Sequence, residues 1–356
     1  MQICAVTVAY NNPRELTRLL HSLEDQLSLS GLIVIDNSHT TYIEDNAAAF
    51  RAYSPQYQFA HHIVIGKNIG SAAGFCVGMK MAHEKGFDWV WLLDQDGTVD
   101  EGCLESLSQH FGQAEILCPE IFDIDRPHTV LPQFRATQNC WGRIIFLSSV
   151  TENRDISFFA THGALISRKA LDTIGYYDPR HFFVSSEDFD YAFRATSSGM
   201  VVRLIVEAKA WHPDLFHSAA KRSALIALGL IDSGSSERET AFAVRLLPAP
   251  LPRLEPMLPE SLLWISKPLM NGKDCRTNRA MSSFSDTYLA TKRLTTLQLG
   301  AAIVFTLLGA SVLKIVKGGT MNLKKTAKMY SICMLSKLRK KWPFKSVEEF
   351  CFYVFN

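Results

Sequence analysis

Three polar clusters, each directly after an apolar run of strand length, constrain this chain more than any other feature. Ile3–Tyr10 is a β-branched apolar run, and the short run Leu32–Ile35 ends in Asp36-Asn37-Ser38. His62–Ile65 leads into a glycine-containing turn that carries Asn68, and Trp89–Leu93 ends in Asp94-Gln95-Asp96-Gly97. Helical patterns fill the gaps: leucines at helical spacing predict a helix over Pro13–Leu29, and Ser71–Lys85 follows the third strand. Strands alternating with helices imply βαβ units and a mostly parallel sheet, hence an α/β fold. Such sheets hold ligands at the carboxyl ends of their strands, which places Asp36, Asn68 and Asp94 on one functional edge.

Beyond residue 120 the pattern weakens, and 120–160 reads as a hairpin or a loop over the sheet. Phe158–Ser167 then predicts a strand and Arg168–Ile174 a short helix. Phe182–Asp190, aromatic and acidic, opens a helix to about Ser198, and Val201–Val206 is the last strand, shortly before Trp211-His212-Pro213. Five of the 14 prolines fall between Pro248 and Pro259, so 232–260 reads as a linker or strap.

A chain of 356 residues, 47% hydrophobic and 20% charged, is long enough for about two packed domains. Residues 314–356 hold ten Lys or Arg against Glu348 and Glu349, a net +8; the whole chain is +2, so the rest is −6. An acidic body excludes a nucleic-acid-binding body, and the basic tail points to an anionic partner. The eight cysteines include no C-x-x-C pair, which removes the usual zinc-ribbon spacings and gives no disulfide framework. MQICAVTVAYNN reads as a first strand rather than a signal peptide, which leads to the expectation of a reducing cytoplasm. The apolar segment Leu299–Leu313 is shorter than the roughly 20 residues of a spanning helix.

Four motifs carry chemistry. Asp94 and Asp96, two apart on a turn, can share a hard cation and leave positions for phosphate oxygens, or can form a solvated acidic turn. Gly66–Gly74 (GKNIGSAAG) brings backbone N–H groups close to a ligand, or serves tight helix–strand packing; it is neither a Rossmann nor a Walker loop. The carboxylates of Phe182–Asp190 are set among aromatics, where desolvation raises a pKa toward that of a base; alternatively they form an acidic first turn that suits the helix dipole. His212 beside Trp211 reads on its own as a packed histidine rather than a ligand.

In order and spacing these motifs resemble family 2 of the glycosyltransferases, with the GT-A fold, and within it the rhamnosyltransferase and galactofuranosyltransferase branch. The matching segments are Val8–Asn12, Val34–Ser38, Asn68–Phe75, Asp94–Asp96, Gly163–Leu171, Phe182–Asp190 and Trp211–His212, spanning about 1–215. The resemblance implies that Tyr10 and Asn12 hold the nucleotide, that Asp36 bonds the base, and that Asn68 and Gly70 line the ribose and diphosphate. It implies that Asp94 contacts the donor ribose or metal, that Asp96 and His212 bind Mg²⁺ or Mn²⁺, that Asp188 is the catalytic base, and that Glu187 positions the acceptor. Two positions depart from the family pattern. Ala73 replaces a second glycine, and no aromatic-rich helix follows His212.

The expected organisation is a catalytic domain over 1–220, a linker over 221–295 and a helical membrane-associating appendage over 296–356. The expected activity is inverting, metal-dependent transfer of rhamnose from dTDP-rhamnose to a lipid-linked cell-envelope saccharide, at the cytoplasmic face of a bacterial inner membrane. Transfer of galactofuranose from UDP-galactofuranose is the alternative within the class. A catalytically inactive nucleotide-sugar-binding scaffold is the alternative outside it, and the retained carboxylates and histidine argue against that. A nucleotidyltransferase would want a Gly-rich basic loop near its first strand, and Ala9–Arg14 (AYNNPR) is not one.

Overall fold

The computed structural model describes residues 1–138, 144–147, 150–184 and 186–214. The expectations for the strap at 232–260 and for the apolar and basic segments after Thr296 lie outside these residues.

The first half alternates as the apolar runs require. Its elements are β1 (Ile3–Ala9), α1 (Pro13–Ser22), β2 (Leu29–Asp36), α2 (Thr40–Tyr53), β3 (Phe59–Val64), α3 (Ser71–Glu84) and β4 (Trp89–Asp94). There follow β5 (Thr98–Val99), α4 (Cys103–Ser108), β6 (Ile116–Asp123), β7 (Arg126–Val130), β8 (Arg135–Gln138) and β9 (Ile144–Phe146). The last are β10 (Arg154–Asp155), β11 (Phe158–Phe159), β12 (Ala164–Ser167), α5 (Arg168–Ile174), α6 (Glu187–Ser197) and β13 (Val202–His212).

One large sheet runs in the order β10-β13-β6-β12-β4-β1-β2-β3, with β5 on β13 and β7 on β6. The strands β3, β2, β1 and β4 pair in parallel, and so do β6 and β13. The sheet is mostly parallel, as expected; between these blocks β12 runs antiparallel to both neighbours through short ladders. Both faces are covered, which is why β1, β2 and β4 read as almost unbroken apolar runs. Leu16, Leu19 and Leu20 of α1 pack on one face, and Phe75, Met79, Tyr191 and Leu171 from α3, α6 and α5 on the other. Each such side chain stabilises the fold by about 1.5–3 kcal/mol through removal from water.

Three expectations change. The first helix stops at Ser22, because Leu23 caps it and Leu27 points to water at 90% exposure; Leu29 already belongs to β2. Phe158–Ser167 is not one strand. β11 pairs with β8 in a small three-stranded sheet, whereas β12 joins the large sheet, and the turn Ala160–Gly163 divides them. The final strand runs to His212 rather than ending at Val206, with a bulge between Ile205 and Lys209. The small sheet is tied to the large one by a buried ion pair between Arg135 and Glu120.

Candidate active site

The carboxyl ends of β1, β2 and β4 and the end of β13 converge on one edge. At the end of β1, Gln95 Oε1 accepts from the Tyr10 N–H at 2.6 Å while its Nε2 donates to the Tyr10 carbonyl at 3.0 Å. The middle residue of the Asp94–Asp96 turn thereby pairs like a strand with β1, and neither turn carboxylate is used in that pairing. Arg18 Nη2 donates to the Asp96 carbonyl at 2.6 Å from the α1 side. β5 then pairs with Ala210 and Trp211, which brings the turn against the end of β13.

That pairing places His212 Nε2 3.1 Å from Asp96 Oδ1 and 3.6 Å from Asp94 Oδ2. His212 Nδ1 lies 2.9 Å from the Pro213 carbonyl, so it donates there and turns Nε2 toward the carboxylates. Burial alone would lower the His212 pKa, but the hydrogen bond and charge of Asp96, with Asp94 behind them, raise it to about 9. For Asp94, burial outweighs the attraction of His212 and, with repulsion from Asp96 and Glu187, raises its pKa to about 7. Asp96 moves the other way: burial would raise it, and His212 and His162 hold it down.

On the other side of the edge stands the acidic pair that opens α6. Glu187 is 4% exposed; its Oε1 accepts from Ser71 Oγ at 2.5 Å, and its Oε2 is buried without a partner. Asp188 is half-buried, and its Oδ1 accepts from the adjacent Phe189 N–H at 2.8 Å. Burial raises the Asp188 pKa well above the carboxylate range, and the charges of Glu187 and Asp94 add to this. Gly70 makes this approach possible. At φ +84 it caps α3, and a Cβ there would fall 2.1 Å from the Phe183 carbonyl, so a side chain would push the donor-side loop off the α6 loop.

Of the residues singled out in the sequence, Asp94, Asp96 and His212 come together, with Glu187 and Asp188 close enough to act on Asp94 electrostatically. Tyr10 lies at the same edge, 41% exposed, with its ring 6.0 Å from that of His39. Three others serve local backbone. Asn12 Oδ1 caps α1 through the Glu15 N–H, and Asn68 Oδ1 closes its own turn on the Gly70 N–H. Asp36 is fully buried, and its oxygens accept from the Ser38 N–H at 2.9 Å, Asn46 Nδ2 at 3.0 Å and His62 Nε2 at 2.9 Å. In this structure Asp36 organises the β2 turn and presents no free oxygen outward. Gln95, Ser71 and His162 escaped the sequence reading; only Ser71, at the mouth of a glycine-rich loop, carried any signal.

The donor set of Asp94, Asp96 and His212 suits a divalent cation such as Mn²⁺ or Mg²⁺: two carboxylates and, once its proton is displaced, one imidazole nitrogen share one edge. Among the described residues no group of three or more His, Cys, Asp or Glu side chains is arranged to hold a metal ion as it stands. Asp94 stands 3.6 Å from His212, and an open set of this kind leaves positions for phosphate oxygens and water around a cation.

The edge thus gathers a carboxylate turn, a facing histidine and an acidic pair at the carboxyl ends of the strands, where α/β sheets hold their ligands. Residues 4–175 match the model of glycosyl transferase family 2. Galactofuranosyltransferase GlfT1 of Mycobacterium tuberculosis is 27% identical over 218 residues, covering 59% of this chain and 70% of that protein. The dTDP-rhamnosyl transferase RfbF of Shigella flexneri is 24% identical over 213 residues, covering 59% and 68%. Among solved structures, GalNAc-T7 with UDP, GalNAc and Mn²⁺ superposes with a TM-score of 0.51 at 16% identity. It covers 60% of this chain and 44% of that one, a likeness of fold alone.

Proposed function

We propose that this chain is an inverting, divalent-cation-dependent glycosyltransferase that moves rhamnose from dTDP-rhamnose onto a lipid-linked cell-envelope saccharide. The carrying observation is the juxtaposition of two differently tuned acid groups on one edge. Asp188, with its raised pKa, suits the taking of a proton, and Asp96, held low beside His212, stays charged. Asp188 takes the acceptor hydroxyl proton as that oxygen attacks the anomeric carbon from the face opposite the diphosphate. The C–O bond to the phosphate breaks with inversion, and the nucleoside diphosphate leaves. Glu187, fixed through one oxygen by Ser71, offers its unpartnered oxygen to a sugar hydroxyl. Asp94, Asp96 and His212 would hold Mg²⁺ or Mn²⁺, which supplies positive charge against the departing diphosphate. The exposed pair of Tyr10 and His39 offers flat faces to the nucleobase.

Transfer of galactofuranose from UDP-galactofuranose is a second reading, supported by the 27% identity to a galactofuranosyltransferase. A donor panel separates the two: in Mn²⁺ or Mg²⁺ the true nucleotide sugar raises the melting temperature most, because it binds only the folded state. A larger shift with UDP-galactofuranose than with dTDP-rhamnose replaces the first reading by the second, and no shift with either removes both. We further propose peripheral attachment to the cytoplasmic face of a bacterial inner membrane. The apolar segment Leu299–Leu313 and the basic residues after it support this, each cation near anionic lipid being worth about 1 kcal/mol. Deleting the chain from Thr296 onward should move the protein from the membrane to the soluble fraction; a truncated protein that stays on the membrane overturns the assignment.

A further inference from the structure

Beneath the Asp94–Asp96 turn lies a histidine that no step above uses. His162 is 1% exposed and sits in the turn between β11 and β12. The Asp94 N–H donates to its Nδ1 at 3.2 Å, and its Nε2 lies 3.1 Å from the Thr98 carbonyl, to which it donates. The two bonds fix one neutral tautomer and bracket the turn at both ends, with Asp96 between them. The fit is close on the third side as well. A Cβ on Gly97 would fall 2.1 Å from His162 Cε1 and 2.4 Å from Nε2, so the turn closes directly over the ring. The ring also lies beside that of His212, with ring centroids 5.5 Å apart. The turn that carries His162 is itself pinned to β4, since the Gly163 N–H donates to the Leu92 carbonyl at 2.8 Å and Trp91 Nε1 to the Gly163 carbonyl at 2.9 Å.

We propose that His162 is a positioning residue for the donor end of the reaction. It sets the spacing between the two turn carboxylates and the imidazole of His212. Both of its nitrogens are engaged, Nδ1 by the Asp94 N–H and the other N–H by the backbone of Thr98 and of Trp211, so it is not itself a ligand. Among the described residues β5 is the strand that joins this turn to β13; it is two residues long and fixes little on its own. Without the ring, Asp94 loses its backbone anchor and Asp96 loses the floor on which its turn closes. Groups that orient metal ligands from behind in this way typically change affinity about 10–100-fold when removed. The proposal rests on the reading of Asp94, Asp96 and His212 as the cation and diphosphate site.

Substitutions separate positioning from space filling, because the two ring nitrogens can be mimicked one at a time. In His162→Asn the amide oxygen stands about where Nδ1 stood and can accept from Asp94. His162→Gln reaches instead toward Thr98, and His162→Leu keeps bulk with neither bond. The test titrates Mn²⁺ into the full-length proteins, following the signal of the free ion, and then dTDP with and without Mn²⁺ by calorimetry, with melting temperatures alongside. His162→Asn should bind Mn²⁺ within about threefold of wild type, while His162→Gln and His162→Leu weaken it about 10–100-fold at comparable melting temperature. Wild-type Mn²⁺ affinity in His162→Gln overturns the proposal. So does an Asn variant as weak as the Gln one. Should the Leu variant not fold, the Asn and Gln pair decides. A wild-type protein that binds no Mn²⁺ refutes the cation reading instead, and His162 is then judged by the same Asn-against-Gln contrast in metal-free dTDP affinity.

Discussion

Ser71 and Glu187, 116 positions apart in sequence, are joined by a hydrogen bond of 2.5 Å between the first turn of α3 and the first turn of α6. The bond links the loop on the donor side to the acidic pair. It also leaves Glu187 with one satisfied and one open oxygen in a buried setting. Ser71→Ala should therefore cost about 1.5–3 kcal/mol at the acidic pair, the usual range for a hydrogen bond to a charged group. Turnover should fall roughly 10–150-fold with donor affinity nearly unchanged, and Ser71→Thr should recover most of it. Steady-state kcat and donor KM, measured separately, decide; a rise in KM alone would place Ser71 in donor binding instead.

Asp188→Asn keeps the shape of the side chain and removes its ability to take a proton. We expect at least about 10²-fold lower turnover with unchanged dTDP or UDP affinity. Turnover near the wild-type value would mean that another group is the base.

Asp96 and His212 face each other at 3.1 Å, so their substitutions should not act independently. Asp96→Ala and His212→Ala should each weaken divalent-dependent nucleotide binding, and the double variant should lose less than the two single losses combined. Strict additivity, or full activity in EDTA, would separate the two residues.

Asp36 makes acid stability testable. Burial would raise its carboxyl, but the bonds from His62, Ser38 and Asn46 prevail and hold it below the ordinary range. A group depressed in the folded state contributes stability above its unfolded value, about 3.9, and that stability is lost as pH falls. The melting temperature should drop as pH falls through and below about 4. Asp36→Asn should melt lower near neutrality and fall less steeply in acid. A variant with the same acid slope as wild type would assign the loss to other carboxylates.

The parts of this fold legible in the sequence are those where packing and pattern coincide. β4 is apolar because both its faces are covered, and α3, α5 and α6 begin and end within a residue or so of where spacing puts them. α2 carries no such signal. It lies against the sheet with little more than Asn46 and Ala49 buried, so no apolar stripe marks it. The leucines of Pro13–Leu29 keep helical spacing past the true end because Leu29 belongs to the next strand, a coincidence that periodicity alone cannot divide. Asp94, Asp96, Glu187 and Asp188 were visible as charges beside apolar runs. Asp36 looked alike in sequence, yet its partners Asn46 and His62 arrive from α2 and β3 and enclose it. His162 stayed hidden because a histidine within an apolar stretch reads as part of a strand. The bend that frees it lies at Gly163, where φ is +80.

β13 lies between β6 and β10 inside the sheet, pairs with β5 as well, and ends at His212. During synthesis the ribosome must therefore deliver everything through residue 212 before the sheet can close. Until then β6 presents a bare edge, able to pair with any other unfinished strand, and the carboxylate turn has no imidazole opposite it. A chain cut short within β13 keeps that edge open and lacks the imidazole that faces Asp94 and Asp96, so closing the sheet and setting His212 opposite the turn are one event.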